Sequence, residues 1–444
     1  MSVQTTAGVP FHRLHPLTPL LRGWKVFAGV AAIATQQLYG GVSVGWLLAG
    51  IAASIPVAAA YGYVSWRFTH YLIDGGDLRL ETGVLFRRSR RVRLDRLQAV
   101  DVVRPLVARV LGLAELRLEV AGGDSSEAPL AYLSEPAAQA LRAELLARAA
   151  GLHSDTPEAP EAVLVRVPLR LLVQSQLLSV GVMLGLAALL VVAAVMIVLS
   201  EWQMLAFVIP LALTVVPAVI TPVLSHFDFT LADSPDGLRL RHGLLETRAQ
   251  TVPPGRIQAL RIVQPLLWRS RDWCRVEVNV AGYSGEEAGQ TSVLLPVATL
   301  DDAFTVLRRV LPDVDVEQVA LHGVPHAARL VDPWGWKVEA AGADDRVFVA
   351  RRGRFRHETD IVPHERVQSV RVTQGPLQRR LKLATMHLDT SPGPVKPTAA
   401  HRDAVEARRL VDAEVDAAHR ARGAARPERW MHLPEQPPHP TVGQ

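Results

Sequence analysis

The sequence predicts a membrane protein in which about four transmembrane helices, arranged as hairpins, carry three α+β domains. Two long apolar stretches, with at most one Asp, Glu, Lys or Arg each, interrupt the chain, and one sequence pattern occurs three times. Each copy of that pattern ends in a helical stretch. The 444 residues fit about three domains at roughly 150 residues each.

The first apolar stretch contains no Asp, Glu, Lys or Arg between Val26 and Trp66. A single span needs about 20 residues, so this stretch is too long for one helix. Gly40 and Gly41 lie near its middle and predict a turn. We therefore expect a first transmembrane hairpin over residues 24–66.

The second apolar stretch runs from Leu171 to Phe227, and Glu201 is its one strongly charged residue. It predicts a second hairpin over residues 171–225, with helices at 177–199 and 204–224. Three prolines should kink the last helix, which membrane helices tolerate. Two buried helices of a soluble protein are the alternative, and the length of the uncharged run argues against it.

Basic residues flank both hairpins on their outer sides, and the hairpin turns contain no Lys or Arg. The positive-inside rule then predicts a multi-pass protein of the cell membrane, with both termini and all polar domains in the cytoplasm. The flanking residues are Arg13, Arg22, Lys25, Arg67, Arg79, Arg87, Arg88, Arg166 and Arg170.

Residues 78–122, 238–282 and 348–392 align without gaps and indicate three copies of one domain, the first, second and third repeats. The recurring arginines and glutamines are interpreted as structural, with Arg bracing backbone carbonyls; a shared ligand contact is the alternative. The equivalent residues are Gly83, Gly243 and Gly353; Arg96, Arg256 and Arg366; Gln98, Gln258 and Gln368; and Arg109, Arg269 and Arg379.

Apolar and polar residues alternate within each repeat, for example at Leu116, Leu118 and Val120, which indicates a sheet with one buried face. The recurring glycine lies between two strand-like runs, where a hairpin requires positive φ. Helical stretches at 134–150, 299–311 and 403–420 close the repeats, which is typical of α+β domains. Thr299 is a predicted N-cap.

In the third repeat, a proline-rich link at 392–397 replaces a strand, so its last strand is expected to be lost or irregular. The resulting organisation has nine segments. They are an N-terminal cytoplasmic segment 1–23, hairpin 24–66, domain 67–152, linker 153–170, hairpin 171–225, domain 226–315, linker 316–333, domain 334–423 and a disordered tail 424–444.

Several classes of function lack the residues they need. The single cysteine, Cys274, excludes an internal disulfide or CxxC site and is interpreted as a buried strand residue. No P-loop, Rossmann glycine pattern, HExxH or GxSxG occurs. His322 and His326 surround Gly323 and Pro325, so a loop is favoured over a metal-ligand pair. The chain is expected to be neither an enzyme nor a cofactor or metal protein.

The highest density of charge is a run of arginines at the start of the first repeat. One interpretation is a surface for anionic lipid, where each Arg contributes about 1 kcal/mol; the other is a solvated strand face. Nucleic acid is not an expected partner, because aromatic residues are 6% of the chain and do not alternate with the arginines. The run comprises Arg87, Arg88, Arg90, Arg91, Arg93 and Arg96.

The third repeat contains Arg366-Val367-Gln368 and then the string Gln374-Gly375-Pro376-Leu377-Gln378-Arg379. With these motifs the chain resembles the bacterial pleckstrin-homology-like (PH-like) membrane proteins of the YdbS/YdbT type. The resemblance implies a curved antiparallel sheet closed by a C-terminal helix, and it implies no reaction. Gln374, Gln378 and Arg379 become candidate partner contacts, since the first and second repeats depart from the string.

These patterns together predict a non-enzymatic membrane scaffold whose PH-like domains bind protein partners or anionic lipid. The lipid bilayer, a second small PH-like membrane protein and further copies of the chain are the expected partners. The alternative is a component of an export system or of a system that resists membrane-active peptides.

Overall fold

A computed structural model describes most of the chain beyond residue 96. The described residues form two compact units, one within residues 1–158 and 246–250 and the other within 159–245 and 251–444. They are residues 12–13, 52, 63–64, 67–68, 70–74, 77–82, 88–93, 97–120, 127–149, 161–200, 203, 205–234, 237–281, 292–312 and 314–424. The first predicted hairpin and Gly83, Arg87 and Arg96 therefore lie outside or almost wholly outside the described residues.

The first unit contains two antiparallel sheets and a closing helix. One sheet has the strand order β1-β2-β3-β4, and β5, β6 and β7 pair consecutively in the other. The elements are β1 (His12–Arg13), β2 (His70–Asp74), β3 (Asp77–Thr82), β4 (Arg88–Arg93), β5 (Leu97–Pro105), α1 (Leu106–Val110), β6 (Leu113–Val120), β7 (Glu127–Ser134) and α2 (Glu135–Ala149).

The predicted alternation places one face of β6 in the core of this unit. Leu116 and Leu118 are fully buried, whereas Arg117 between them is partly exposed. Helix α2 contributes Leu141 and Leu145 to the buried set, as the predicted closing helix requires. Period-two burial on a strand and an apolar stripe on a helix together give an α+β layer.

The second unit begins with the membrane segment: β8 (Ala162–Arg166), α3 (Leu169–Leu177), α4 (Val180–Leu199) and α5 (Leu205–Ser225). Helices α4 and α5 are long and apolar enough to cross a membrane, and 6% of each apolar window is buried inside the protein. Both helices predicted for the second hairpin are therefore present, and, unlike the core helices of a soluble protein, they are mostly unburied. The described residues contain these two candidate spans, whereas about four spans were expected for the whole chain.

The second and third repeats make up the rest of this unit, except that residues 246–250 of β11 belong to the first unit. The strands are β9 (Thr230–Ser234), β10 (Gly237–His242), β11 (Glu246–Val252), β12 (Ile257–Pro265), β13 (Trp273–Val280), β14 (Val293–Thr299), β15 (His322–Gly323), β16 (Ala340–Ala343), β17 (Val347–Arg352), β18 (Arg356–Pro363), β19 (Ser369–Thr373), β20 (Leu383–Asp389) and β21 (Thr398–Asp403). The α-helices are α6 (Leu300–Val310), α7 (Pro376–Arg380) and α8 (Ala404–Ala424).

Strands from two repeats form one seven-stranded antiparallel sheet with the order β14-β13-β12-β18-β17-β16-β15. Its first three strands end the second repeat, and its last four begin the third. The third repeat ends in a separate sheet of β19, β20 and β21. The two repeats therefore share a continuous backbone hydrogen-bond ladder.

The closing helices follow the predicted positions. Thr299 caps α6, because its Oγ1 accepts a hydrogen bond from the backbone N–H of Asp302 at 3.2 Å. The last strand of the third repeat was expected to be lost or irregular; it is not lost, since β21 pairs with β20, but its pairing is irregular, with a register shift between Ala384 and Met386. The strand begins directly after Pro397, so no proline removes a donor from its ladder.

Two further sequence predictions concern single residues. Gly243 and Gly353 have φ values of 108° and 82°, as the hairpin pattern predicts. A Cβ at Gly353 would overlap the carbonyl oxygen of Arg356. Cys274 is fully buried in β13, and burial raises the pKa of its thiol to about 12, which suits an unreactive core residue.

A buried ion pair attaches α8 to the third repeat. His364 Nδ1 donates to Glu414 Oε1 at 2.8 Å, and His364 Nε2 donates to the carbonyl oxygen of Asp344 at 3.0 Å. Burial alone would lower the pKa of His364, but the hydrogen bond and charge of Glu414 raise it above its usual 6.5. The imidazole is therefore held in its charged form between two acceptors.

This pair makes the stability of the third repeat dependent on pH. Because the folded-state pKa of His364 is raised, its contribution is complete below the unfolded value and is lost as pH rises through the folded value. We expect the thermal midpoint to be lower at about pH 8.5 than at about pH 5.5, and His364→Gln to reduce that difference. Thermal unfolding of the purified protein in detergent measures this, and equal pH slopes in both proteins would contradict the assignment.

Candidate functional site

The arginine run of the first repeat lies in β4. Arg88, Arg90, Arg91 and Arg93 stand opposite residues of β3 in an antiparallel register, and Arg87 lies outside the described residues. Arg91 and Arg93 are two positions apart on a strand and so share one face, as predicted. Within the part of the chain that is described, β4 is the terminal strand of its sheet.

The candidate contacts of the third repeat surround the short helix α7. Gln378 Oε1 accepts from the backbone N–H of Gly375 at 2.9 Å, and its Nε2 donates to Thr385 Oγ1 at 2.9 Å. Gln374 Nε2 donates to the carbonyl oxygen of Leu383 at 2.8 Å. Both amides thus brace the turn into α7, whereas Arg379 on the same helix is exposed.

The other recurring residues lie around the turns before β12 and β19. Gln258 is buried, and its Nε2 donates to the carbonyl oxygen of Arg256 at 3.4 Å. Arg366 pairs with the neighbouring Glu365 at 3.1 Å, and Gln368 is exposed. In the second repeat the recurring glutamine thus contacts a backbone carbonyl.

The contact between the second and third repeats, here called the seam, centres on a buried ion pair. Arg261 of β12 stands directly opposite Asp360 of β18. Arg261 Nε donates to Asp360 Oδ1 at 2.5 Å and Nη2 donates to Oδ2 at 3.2 Å, a two-point contact between side chains that are 7% and 1% exposed. Arg261 Nη1 also donates to the carbonyl oxygen of Pro394 at 3.0 Å.

Burial and charge act against each other in the seam, and burial raises the pKa of Asp360 although Arg261 and Arg352 act to lower it. Burial by itself would lower the pKa of Arg261, but the hydrogen bond and charge of Asp360 raise it. Burial would raise the pKa of Glu358, but its hydrogen bond from Arg352 at 2.8 Å and the charge of Arg261 lower it. Each charge in the seam therefore has an opposite charge in place of water.

A buried asparagine completes the seam. Asn279 of β13 is 1% exposed, and its Nδ2 donates to the carbonyl oxygens of Val395 at 2.7 Å and Ser391 at 3.2 Å. Its Oδ1 accepts from the N–H of Val395 at 2.9 Å. A Cβ at Gly393 would overlap the Asn279 side chain, so the proline-rich link is shaped to receive it.

The register of the seam recurs inside the first unit. There Glu246 stands opposite Pro105 and Ala249 opposite Val102, and in the seam Arg356 stands opposite Pro265. These pairs occupy equivalent positions of the repeat. Residues 102–105 of β5 thus pair with residues 246–249 in the same way as residues 262–265 of β12 pair with residues 356–359.

The recurring arginine that follows β5 or β12 contacts the strand paired with it or the turn before that strand. Arg109 Nη1 donates to Thr247 Oγ1 at 3.1 Å, and Arg269 Nη2 donates to the carbonyl oxygen of Arg354. Their equivalent in the third repeat is Arg379. Within the described part of the chain its guanidinium has no partner.

The second repeat is also attached to the membrane helices. Trp268 is 5% exposed, and its Nε1 donates to the carbonyl oxygen of Ser175 in α3 at 3.1 Å. The N–H of Leu244 donates to the carbonyl oxygen of Leu224 at 2.9 Å, near the end of α5. The hairpin of β10 and β11 therefore satisfies part of the C-terminus of a membrane helix.

Sequence reasoning missed Arg261, Asp360 and Asn279. A usable signal exists for Arg261, because it is the one charge in the apolar strand β12, whereas Asp360 follows two other charged residues, Arg356 and Glu358, in β18. His322 and His326 lie in the short strand β15 and at the start of a 3-10 turn. Among the described residues, no three His, Cys, Asp or Glu side chains are grouped as metal ligands would be.

Comparison with known proteins agrees with this architecture. The profile of the family described as "Bacterial PH domain" matches residues 26–149, 175–314 and 319–417. The UPF0699 transmembrane protein YdbT of Bacillus subtilis (strain 168) is 22% identical over 324 residues, which cover 64% of this chain. The chain spans 63% of that relative's length.

The seam gives a quantitative prediction. Asp360→Ala leaves the buried guanidinium of Arg261 without its counter-charge and should lower the free energy of unfolding by about 3–5 kcal/mol. Replacing both side chains together, by Arg261→Met and Asp360→Leu, should cost less, because no charge remains buried alone. Urea unfolding of the purified protein in detergent measures both.

Arg166→Ala is the matched control, because Arg166 pairs with Asp228 at 2.7 Å but is 68% exposed. Its loss should cost at most about 1 kcal/mol. If Asp360→Ala were no more harmful than Arg166→Ala, the seam would not depend on this pair.

Proposed function

Because this chain belongs to the bacterial PH domain family, we propose that it is a non-enzymatic membrane scaffold whose repeats bind a protein partner. The observation that carries the proposal is the continuous seven-stranded sheet, which fixes the third repeat to the second. The second repeat is in turn hydrogen-bonded to α3 and α5. The last strands of the third repeat are therefore held in a set position relative to the membrane helices.

The surface offered at that position suits a protein partner. Leu377 and Val372 are 48% and 41% exposed beside the exposed Arg371, Arg379 and Arg380. Exposed aliphatic side chains mixed with arginine are common in protein interfaces, where Arg frequently contributes much of the binding energy.

We place the repeats in the cytoplasm and count four spans, with the first hairpin included. Arg166 and Arg170 precede α4, and no Lys or Arg lies between the two described spans. This distribution supports a cytoplasmic position for the second and third repeats.

Anionic lipid is the second candidate, and it rests on β4, where four of the six residues are arginine. Flotation of the full-length protein, reconstituted in nanodiscs of neutral lipid, with vesicles of anionic lipid tests it, with neutral vesicles as the control. Changing Arg88, Arg90, Arg91 and Arg93 to Gln together should abolish flotation with the anionic vesicles, since each Arg contributes about 1 kcal/mol. Unchanged flotation would exclude lipid binding by this strand.

The scaffold proposal is tested by photo-crosslinking in native membranes. Benzoylphenylalanine at Leu377 should give a discrete adduct with one membrane protein, because this side chain lies on the proposed surface. The same group at Val405, which is 60% exposed on α8, is the matched control and should give little or none. Equal adducts at both positions, or none at either, would contradict the proposal.

The export alternative has a separate test. Energy-dependent efflux from vesicles that is lost on Glu201→Gln would favour it.

A further inference from the structure

Resting on the scaffold function proposed above, we infer that the outer edge of β19 accepts a β-strand from a second PH-like chain. That strand adds in the antiparallel register that β18 takes on β12, and it places a carboxylate opposite Arg371. Added strands of this kind gain affinity from main-chain hydrogen bonds and specificity from side chains.

The first support is that β19 repeats the sequence of β12. Gln258, Arg261 and Gln264 of the second repeat have the equivalents Gln368, Arg371 and Gln374 in the third. The positions between them are aliphatic, small or Thr in both. In β12 this sequence binds β18 along one edge and β13 along the other. β19 therefore has the residues of an edge that accepts a strand elsewhere in the same molecule.

The second support is that the outer edge of β19 is open in the part of the chain that the structure describes. β19 pairs with β20 and is the terminal strand of its sheet. Ser369, Arg371, Val372 and Thr373 are exposed. An exposed edge with unpaired N–H and C=O groups is a template for another strand.

The third support is the recurring arginine. Arg109 and Arg269 both reach the hairpin of the repeat that follows them. Arg379 occupies the same place after β19 and is exposed. An incoming hairpin would receive from Arg379 the contact that residue 354 receives from Arg269.

Charge decides which strand fits. In the seam, Arg261 faces Asp360 and is 3.6 Å from Glu358, so a strand that binds beside Arg371 needs carboxylates at these two places. A second copy of this chain would present β4 there, with Arg88 and Arg90 at the equivalent positions. Like charges opposite each other destabilise strand pairing, so the partner is a different chain.

The pair between Arg371 and Asp389 does not prevent this binding. It measures 3.0 Å, and the Arg371 side chain is 61% exposed. An exposed pair of this kind contributes little to stability, so the guanidinium can turn to a carboxylate on an added strand.

The test uses the full-length protein in lipid nanodiscs and a synthetic peptide with the sequence of residues 354–365, which contains β18. A matched peptide carries Glu358→Lys and Asp360→Lys. Fluorescence anisotropy should show binding of the first peptide and at least about ten-fold weaker binding of the second. Arg371→Glu in the protein should restore the second peptide and weaken the first.

Arg379 and Arg380 are neighbours on α7 and give a matched pair of variants. Arg379→Gln should weaken binding of the first peptide several-fold, and Arg380→Gln should leave it unchanged. Thermal unfolding of each variant shows whether the fold is retained.

Equal binding of the two peptides, or no binding by the intact protein, would overturn the inference. If the first peptide bound only after residues 425–444 were removed, the edge would instead be assigned to those residues of the chain itself. These outcomes are separable from the scaffold proposal, because a membrane partner that still crosslinks at Leu377 would show that partner binding occurs without strand addition.

Discussion

The ion pair between Arg261 and Asp360 lies in the middle of a sheet that two repeats build together, where neither charge is solvated by water. Such a pair is tolerated only when its geometry is right, and breaking it is costly. The sheet register, the position of the proline-rich link and the contact of Asn279 all fit around it. The third repeat is therefore joined to the second as one rigid part rather than by a flexible linker.

The same constraint explains why the repeats are not independent modules. The second repeat completes its sheet with the first hairpin of the third repeat, so β12, which contains the recurring glutamine, has a neighbouring strand on each side. Only in the last repeat does the equivalent strand have one neighbour among the described residues. The hydrogen bond from Trp268 to Ser175 attaches the second repeat to α3, the helix that precedes the candidate span α4.

Sequence patterns predicted much of this architecture, because local physics controls it. Alternation predicted the strands, the recurring glycine predicted hairpins with positive φ, and uncharged length predicted α4 and α5. The seam could not be predicted in the same way, since pairing between β12 and β18 is non-local and no local pattern encodes it. The last strand of the third repeat was missed because the prolines before it suggested disruption, whereas Asn279 fixes that link from another repeat.

Joining the sheets in this way also has a consequence for biosynthesis. β12 leaves the ribosome well before β18, so its partner edge stays uncovered while nearly a hundred further residues are translated, on the order of 5–20 s at 5–20 residues per second. A nascent chain at that point exposes an arginine-bearing strand beside the membrane. Messages truncated between the two repeats would yield a product with a permanently uncovered edge, a natural target for quality-control proteases.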